Sequence, residues 1–95
     1  MSLGQIGQGM EKKLAAAFAP VSLEVIDESH QHHGHSGAHS DGESHFRVKI
    51  VAAGFAGKSL VARHRMINGV LAAELSGRVH ALAIEAKAPD EAVAR

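Results

Sequence analysis

The chain has 95 residues, with ten basic and ten acidic side chains and eight histidines, so it is sized for a single domain and carries no formal net charge. That balance counts against attachment to nucleic acid by bulk charge, although histidines titrating near ~6.5 would add positive charge on mild acidification. The absence of cysteine excludes disulfides, thiolate metal ligands and a thiol nucleophile from this chain.

Residues 10–19 read as a helix. Ile6, Met10, Leu14, Ala17 and Phe18 recur at helical spacing, Glu11, Lys12 and Lys13 face out, and Pro20 ends the run. Met10 or a nearby residue is a natural alternative start. Val21 to Asp27 alternates, with Val21, Leu23 and Val25 on one face, which predicts a half-buried strand. Residues 28–44 are polar, rich in glycine and histidine, and lack apolar periodicity; they read as a long, mobile loop. His45 to Val51 alternates again, with Phe46, Val48 and Ile50 inward, and is expected to pair with the first strand as an antiparallel hairpin.

A glycine turn follows, and Ser59 is a good N-cap for a helix from Leu60 to Leu75. Its apolar stripe is Leu60, Ile67, Val70, Leu71 and Leu75, and Gly77 is the expected left-handed cap. Val79 to Ala86 predicts a third strand, with His80 at its entrance on the face of Leu82 and Ile84; Pro89 opens a short last helix carrying Glu91. The fold class is therefore α+β in the order α-β-β-α-β-α, over one domain, 1–95. No apolar run approaches the ~18–20 residues of a membrane span and no secretory signal is legible, so a cytoplasmic protein is expected.

Two constellations carry chemistry. The first is His30, His32, His33, His35 and His39 in the loop, with His80 outside it. Imidazole is a common ligand of transition metals. A flexible histidine-rich loop is also a common weak binder of stray divalent metal. The second is Gly54-Phe55-Ala56-Gly57 ahead of Lys58, Arg63, His64 and Arg65. A GxxG turn entering a helix clamps nucleic-acid backbones in KH domains, which makes Gly57, Lys58, Arg63 and Arg65 candidate nucleic-acid contacts. The same spacing recurs at Gly4 to Gly7 and Gly34 to Gly37, so the bare motif has little specificity, and a tight strand-to-helix turn is the plainer explanation. Arg63 and Arg65 lie two apart and point to different helix faces. Arg47 and Lys49 would join such a surface only if they project on the same side. An enzyme is not expected: Ser40-Asp41 and the loop histidines sit in a segment too rich in glycine to preorganise a triad.

Several stretches in order, Glu43-Ser44-His45-Phe46-Arg47-Val48, then Phe55-Ala56-Gly57-Lys58-Ser59-Leu60-Val61-Ala62-Arg63-His64-Arg65-Met66-Ile67, then Val79-His80-Ala81-Leu82-Ala83-Ile84 and Ala88-Pro89-Asp90-Glu91, resemble the BolA family. The resemblance runs from about Leu14 to Glu91. It implies a class II KH-like fold, a three-stranded sheet with helices on one face. It also implies a monothiol glutaredoxin partner and a bridging [2Fe–2S] cluster, held jointly with that partner and glutathione, with none expected in the isolated chain. DNA is a second implied partner. By this resemblance His80 is the C-terminal cluster ligand. The loop ligand is open between His35, which has the family's Gly-His pairing, and His32, which is selected by counting from Glu28-Ser29. His45 and His64 fall in the family motifs as packing and hydrogen-bonding residues. A monomer or weak homodimer is expected.

Overall fold

The two alternating segments pair as expected in a computed structural model that describes residues 3–29 and 43–93. Strand β1 (Ser22–Asp27) lies antiparallel to β2 (His45–Val51), with Val25 opposite Val48. Strand β3 (Ala81–Lys87) lies parallel to β2 on its other side, with Phe46 opposite Leu82 and Val48 opposite Ile84. The alternation sorts the sheet into two faces. Phe46, Val48, Ile50, Val25 and Ala86 are buried toward the helices, while Glu24, Lys49, Glu85 and Lys87 stand exposed on the opposite face.

Helix α1 (Gln5–Phe18) begins five residues before the predicted start. Its reason is not local. The carboxylate of Glu43 accepts hydrogen bonds from the amides of Ile6 (2.8 Å) and Gly7 (3.1 Å), which otherwise have no partner in a helix's first turn. Gly4 is the N-cap, and a Cβ built there would lie 2.5 Å from that carboxylate. Gly7, Met10 and Leu14 form the buried stripe, so residues ahead of Met10 are part of the domain. The helix ends on Ala19 in the left-handed conformation (φ 45°), just before Pro20.

After β2, a 3₁₀ turn (Ala53–Phe55) leads to helix α2 (Leu60–Val70), whose first turn is capped by the Ser59 hydroxyl accepting from the Ala62 amide at 3.1 Å. The predicted single helix to Leu75 is broken at Leu71, and α3 (Ala72–Ser76) follows. The interruption is slight, since the Leu75 amide still donates to the Leu71 carbonyl. Gly77 ends α3 as predicted, but at φ −110° rather than in the left-handed region. The short last helix, α4 (Pro89–Val93), lies where proline placed it. Lys13 of α1 pairs with Glu74 of α3 at 2.7 Å.

The largest fully buried side chains are Phe46, Phe55, Met10, Leu14, Ile50, Ile67, Leu71 and Val48, each worth roughly 1.5–3 kcal/mol of burial. Three expectations fail here. Val21, at the bend before β1, is 73% exposed, and Leu60 at the start of α2 is 66% exposed. Arg63 takes an inward place instead, in line with Ile67 and Leu71 at helical spacing. The third strand starts at Ala81, two residues later than read, which leaves His80 just outside it.

Candidate functional site: a histidine rim at the end of the sheet

The ends of β1 and β2 and the entry to β3 meet at one edge of the sheet, and a chain of short polar contacts fixes them there. Asp27, the last residue of β1, accepts from the amide of Ser29 (2.9 Å), two residues on, and its other oxygen accepts from the amide of Glu43 (3.0 Å). The Ser29 hydroxyl donates to Asp27 and accepts from the amides of Ser44 (2.9 Å) and His45 (3.3 Å). The Glu28 amide donates to the His45 carbonyl at 2.7 Å. Ser29 and Ser44 are buried, so these bonds are shielded from water and hold the geometry. Glu43 adopts φ 62°, a left-handed conformation that turns its side chain's segment toward the α1 N-terminus it caps.

This clasp lies at both flanks of the predicted loop 28–44. Glu28, Ser29, Glu43 and Ser44 lie outside the strands, as the loop reading has them, and are held by these bonds. His32 and His35 lie outside the described residues.

His80 is tied to the same clasp: its amide donates to the Ser44 carbonyl at 2.7 Å. The side chain is exposed, not partly shielded at the rim of the core as its parity with Leu82 and Ile84 predicts. The strand begins only at Ala81, so the in-and-out alternation of Leu82 and Ile84 does not extend to His80. His45 is half-buried at the start of β2, with Nδ1 2.9 Å from the Ser44 hydroxyl. The His45 and His80 ring centroids are 6.4 Å apart. The sequence assigns His45 packing and hydrogen bonding, in keeping with its contact with the Ser44 hydroxyl, but gives no link to His80. The signal available to it was the cluster of Asp27, Ser29 and Ser44, short polar side chains that compete for backbone amides at strand ends.

The second constellation is taken apart by the structure. Arg63 is not a surface cation. Its Nε donates to the Lys58 carbonyl (3.0 Å), Nη1 to the Ala86 carbonyl (3.0 Å) and to Glu91 (2.6 Å), and Nη2 to Glu91 (2.9 Å). A bidentate guanidinium–carboxylate pair fixes it further, and the Glu91 carboxylate also accepts from the Ala88 amide at 2.9 Å. The arginine hydrogen bonds, and next the Ala88 amide, pull the Glu91 carboxyl down from 4.5 to about 2. Arg63 thus locks α2 to β3 and α4, and its place among the nucleic-acid candidates is corrected: four of its five N–H donors are engaged within the fold and the residue is buried.

Gly57 lies at φ 76° after Ala56 at φ −60°, ψ 133°, and the Lys58 amide donates to the Phe55 carbonyl at 3.1 Å. This is a type II turn, which requires a glycine-like residue at its third position. The same turn seats Phe55 in the core, against the Phe18 ring at 5.1 Å. The glycine pattern is therefore explained by the turn, with one of its two intervening residues buried. Lys58 and Arg65 are exposed at and beyond the start of α2. Arg47 and Lys49 do not join them, because their side chains stand on the opposite face of the sheet. Arg47 is held there by Glu28 at 2.8 Å and Glu85 at 3.4 Å, and its pKa is raised, first by the hydrogen bond to Glu28.

Among the described residues, no helix is long and apolar enough to cross a membrane. Comparison with known proteins places this architecture. The family profile described as BolA-like protein matches residues 14–91. A protein from Sinorhizobium sp., named only by its position in the cobS 5′ region, is 59% identical over 83 residues, spanning 86% of this chain and 89% of that one. The DNA-binding transcriptional regulator BolA of Escherichia coli is 51% identical over 79 residues, 83% of this chain and 71% of its own length. SufE-like protein 1 of Arabidopsis thaliana, a chloroplastic/mitochondrial protein, is 47% identical, but this chain spans only 26% of it. The solved BolA domain of SufE1 from the same plant superposes with a TM-score of 0.85 at 48% identity, covering 95% of this chain and 99% of that domain. Fold, order of elements and sequence agree, and this chain belongs to the BolA-like protein family.

Proposed function

We propose that this chain is a non-catalytic partner protein that supplies imidazole ligands, His80 with His35 or His32, to a [2Fe–2S] cluster shared with a monothiol glutaredoxin and glutathione. The observation that carries the reading is the position of His80. It is exposed at the sheet edge, with its amide on Ser44, whose own amide is held by Ser29. The two described ends of the histidine-rich segment, Ser29 and Glu43, thus meet beside it.

The donor set fits such a group. The chain has imidazoles and no thiol, so the remaining iron ligands must come from a second molecule, and an exposed imidazole at an edge is reachable by one. When bound, the cluster supplies iron–sulfur redox or transfer chemistry; the chain's part is to hold ring nitrogens at a fixed rim. Asp27, Ser29, Glu43 and Ser44 are engaged with one another and with backbone amides, which favours a positioning role for them over catalysis.

The test is reconstitution with a monothiol glutaredoxin and glutathione, followed by visible absorption and circular dichroism. His80→Ala should leave folding and complex formation intact and alter the cluster spectrum. The His32→Ala/His35→Ala double variant should also alter it. An unchanged spectrum for a folded, complexed His80→Ala protein overturns the ligand assignment.

A second reading, a nucleic-acid-binding regulator, is favoured by exposed Lys58 and Arg65 near the start of α2 and by the relative named a DNA-binding transcriptional regulator. It now rests on Lys58 and Arg65 without Arg63.

A further inference from the structure

We infer that His45 and His80 form a two-imidazole site for a divalent transition-metal ion in the free chain, organised by Ser44 and independent of any partner. The rings lie 6.4 Å apart between centroids with planes inclined at 44°. Two imidazoles sharing one ion at metal–nitrogen distances of ~2.0–2.1 Å place their centroids roughly 5–6.5 Å apart, depending on the angle at the metal. The observed spacing is at the wide end of that range, near a linear arrangement at the ion, so a bent geometry needs the two rings to draw together.

Both histidines are fixed by one residue. The buried Ser44 accepts the His80 amide on its carbonyl at 2.7 Å, and its hydroxyl lies 2.9 Å from His45 Nδ1. In the tautomer that a metal selects, His45 Nδ1–H donates to the Ser44 hydroxyl and Nε2 faces the ion. Metal-bound histidines are commonly oriented in this way by an outer hydrogen bond. Ser44 is in turn held by the Ser29 hydroxyl, so the ligand-bearing segments are positioned before any ion arrives. Borderline ions such as Zn²⁺ or Ni²⁺ suit an imidazole pair, with water completing the coordination. The site shares His80 with the proposed cluster but needs neither glutaredoxin nor glutathione, so the two can fail separately.

The test is made on the full chain without partner, in a background where His30, His32, His33, His35, His39 and His64 are replaced by asparagine. Calorimetric titration with Zn²⁺ should show one ion per chain. Adding His45→Ala or His80→Ala should weaken binding at least tenfold, and Ser44→Ala should weaken it several-fold. Absence of Zn²⁺ binding in the background chain, or unchanged affinity in its His45→Ala variant, overturns the inference. Should His45→Ala unfold by far-ultraviolet circular dichroism, wild-type NMR decides. The His45 and His80 ring protons should shift together during Zn²⁺ titration, and a bound state in which the His45 ring does not shift overturns the site.

Discussion

At the scale of single residues, the most consequential side chain is Arg63. An arginine within a surface-like motif was expected to meet solvent or phosphate, yet it is 5% exposed and spends its donors on Glu91, Ala86 and Lys58. Glu91 gives this arrangement a pH signature. Its carboxyl titrates at about 2 in the folded chain against 4.5 ordinarily, so the unfolded chain binds the proton more tightly. The pair's contribution to stability is then fully present above pH 4.5 and is lost as pH falls toward about 2. Glu91→Gln should be clearly less stable than wild type at neutral pH, with the gap in melting temperature closing over that interval. A gap that stays constant across it would show that the ionised pair does not contribute.

At the scale of elements, a helix start is set by a residue far along the chain. Glu43 caps α1 across a separation of 37 residues, while also ending the segment that leads into β2. Glu43→Ala should cost about 0.5–2 kcal/mol, the usual range for losing a cap. The urea midpoint measures the loss, and amide exchange locates it: Ile6 and Gly7 should exchange faster while amides late in α1 change little. Uniform acceleration along the helix would mean that Glu43 acts through the β2 entrance instead. Ser59, by contrast, caps α2 locally and was readable from its position before an apolar run.

At the scale of the whole molecule, charge is balanced and divided between faces. Arg47 and Lys49 stand on the open face of the sheet among Glu24, Glu28 and Glu85, and Lys58 and Arg65 belong to the helical side. A duplex lying on the helical side would meet two of these cations, not a continuous basic stripe. DNA affinity, if phosphate-based, should therefore fall with salt at a log–log slope of only about −2, at ~0.9 per contact, and Lys58→Ala should reduce that slope by about 1. Arg47→Ala should leave it unchanged. Affinity that is flat from low to physiological salt removes phosphate contacts as its source.

Periodicity determined the α+β class, the antiparallel hairpin and the inward set Phe46, Val48 and Ile50, and local capping and proline chemistry determined the Ser59 cap and the proline-led last helix. These follow from rules that act over a few residues, so a single sequence contains them. The family, too, was legible, because several motifs stand in order along the chain. Tertiary structure alone decided the early start of α1, the inward turn of Arg63, the exposure of Leu60 and the approach of His45 to His80. Three of these depend on a partner distant in sequence: Glu43 for Ile6, Glu91 for Arg63 at a separation of 28, Ser44 for His80. No local pattern encodes which carboxylate will reach which amide or guanidinium. Parallel pairing of β2 with β3 is what carries His80 to the end of the sheet where His45 begins.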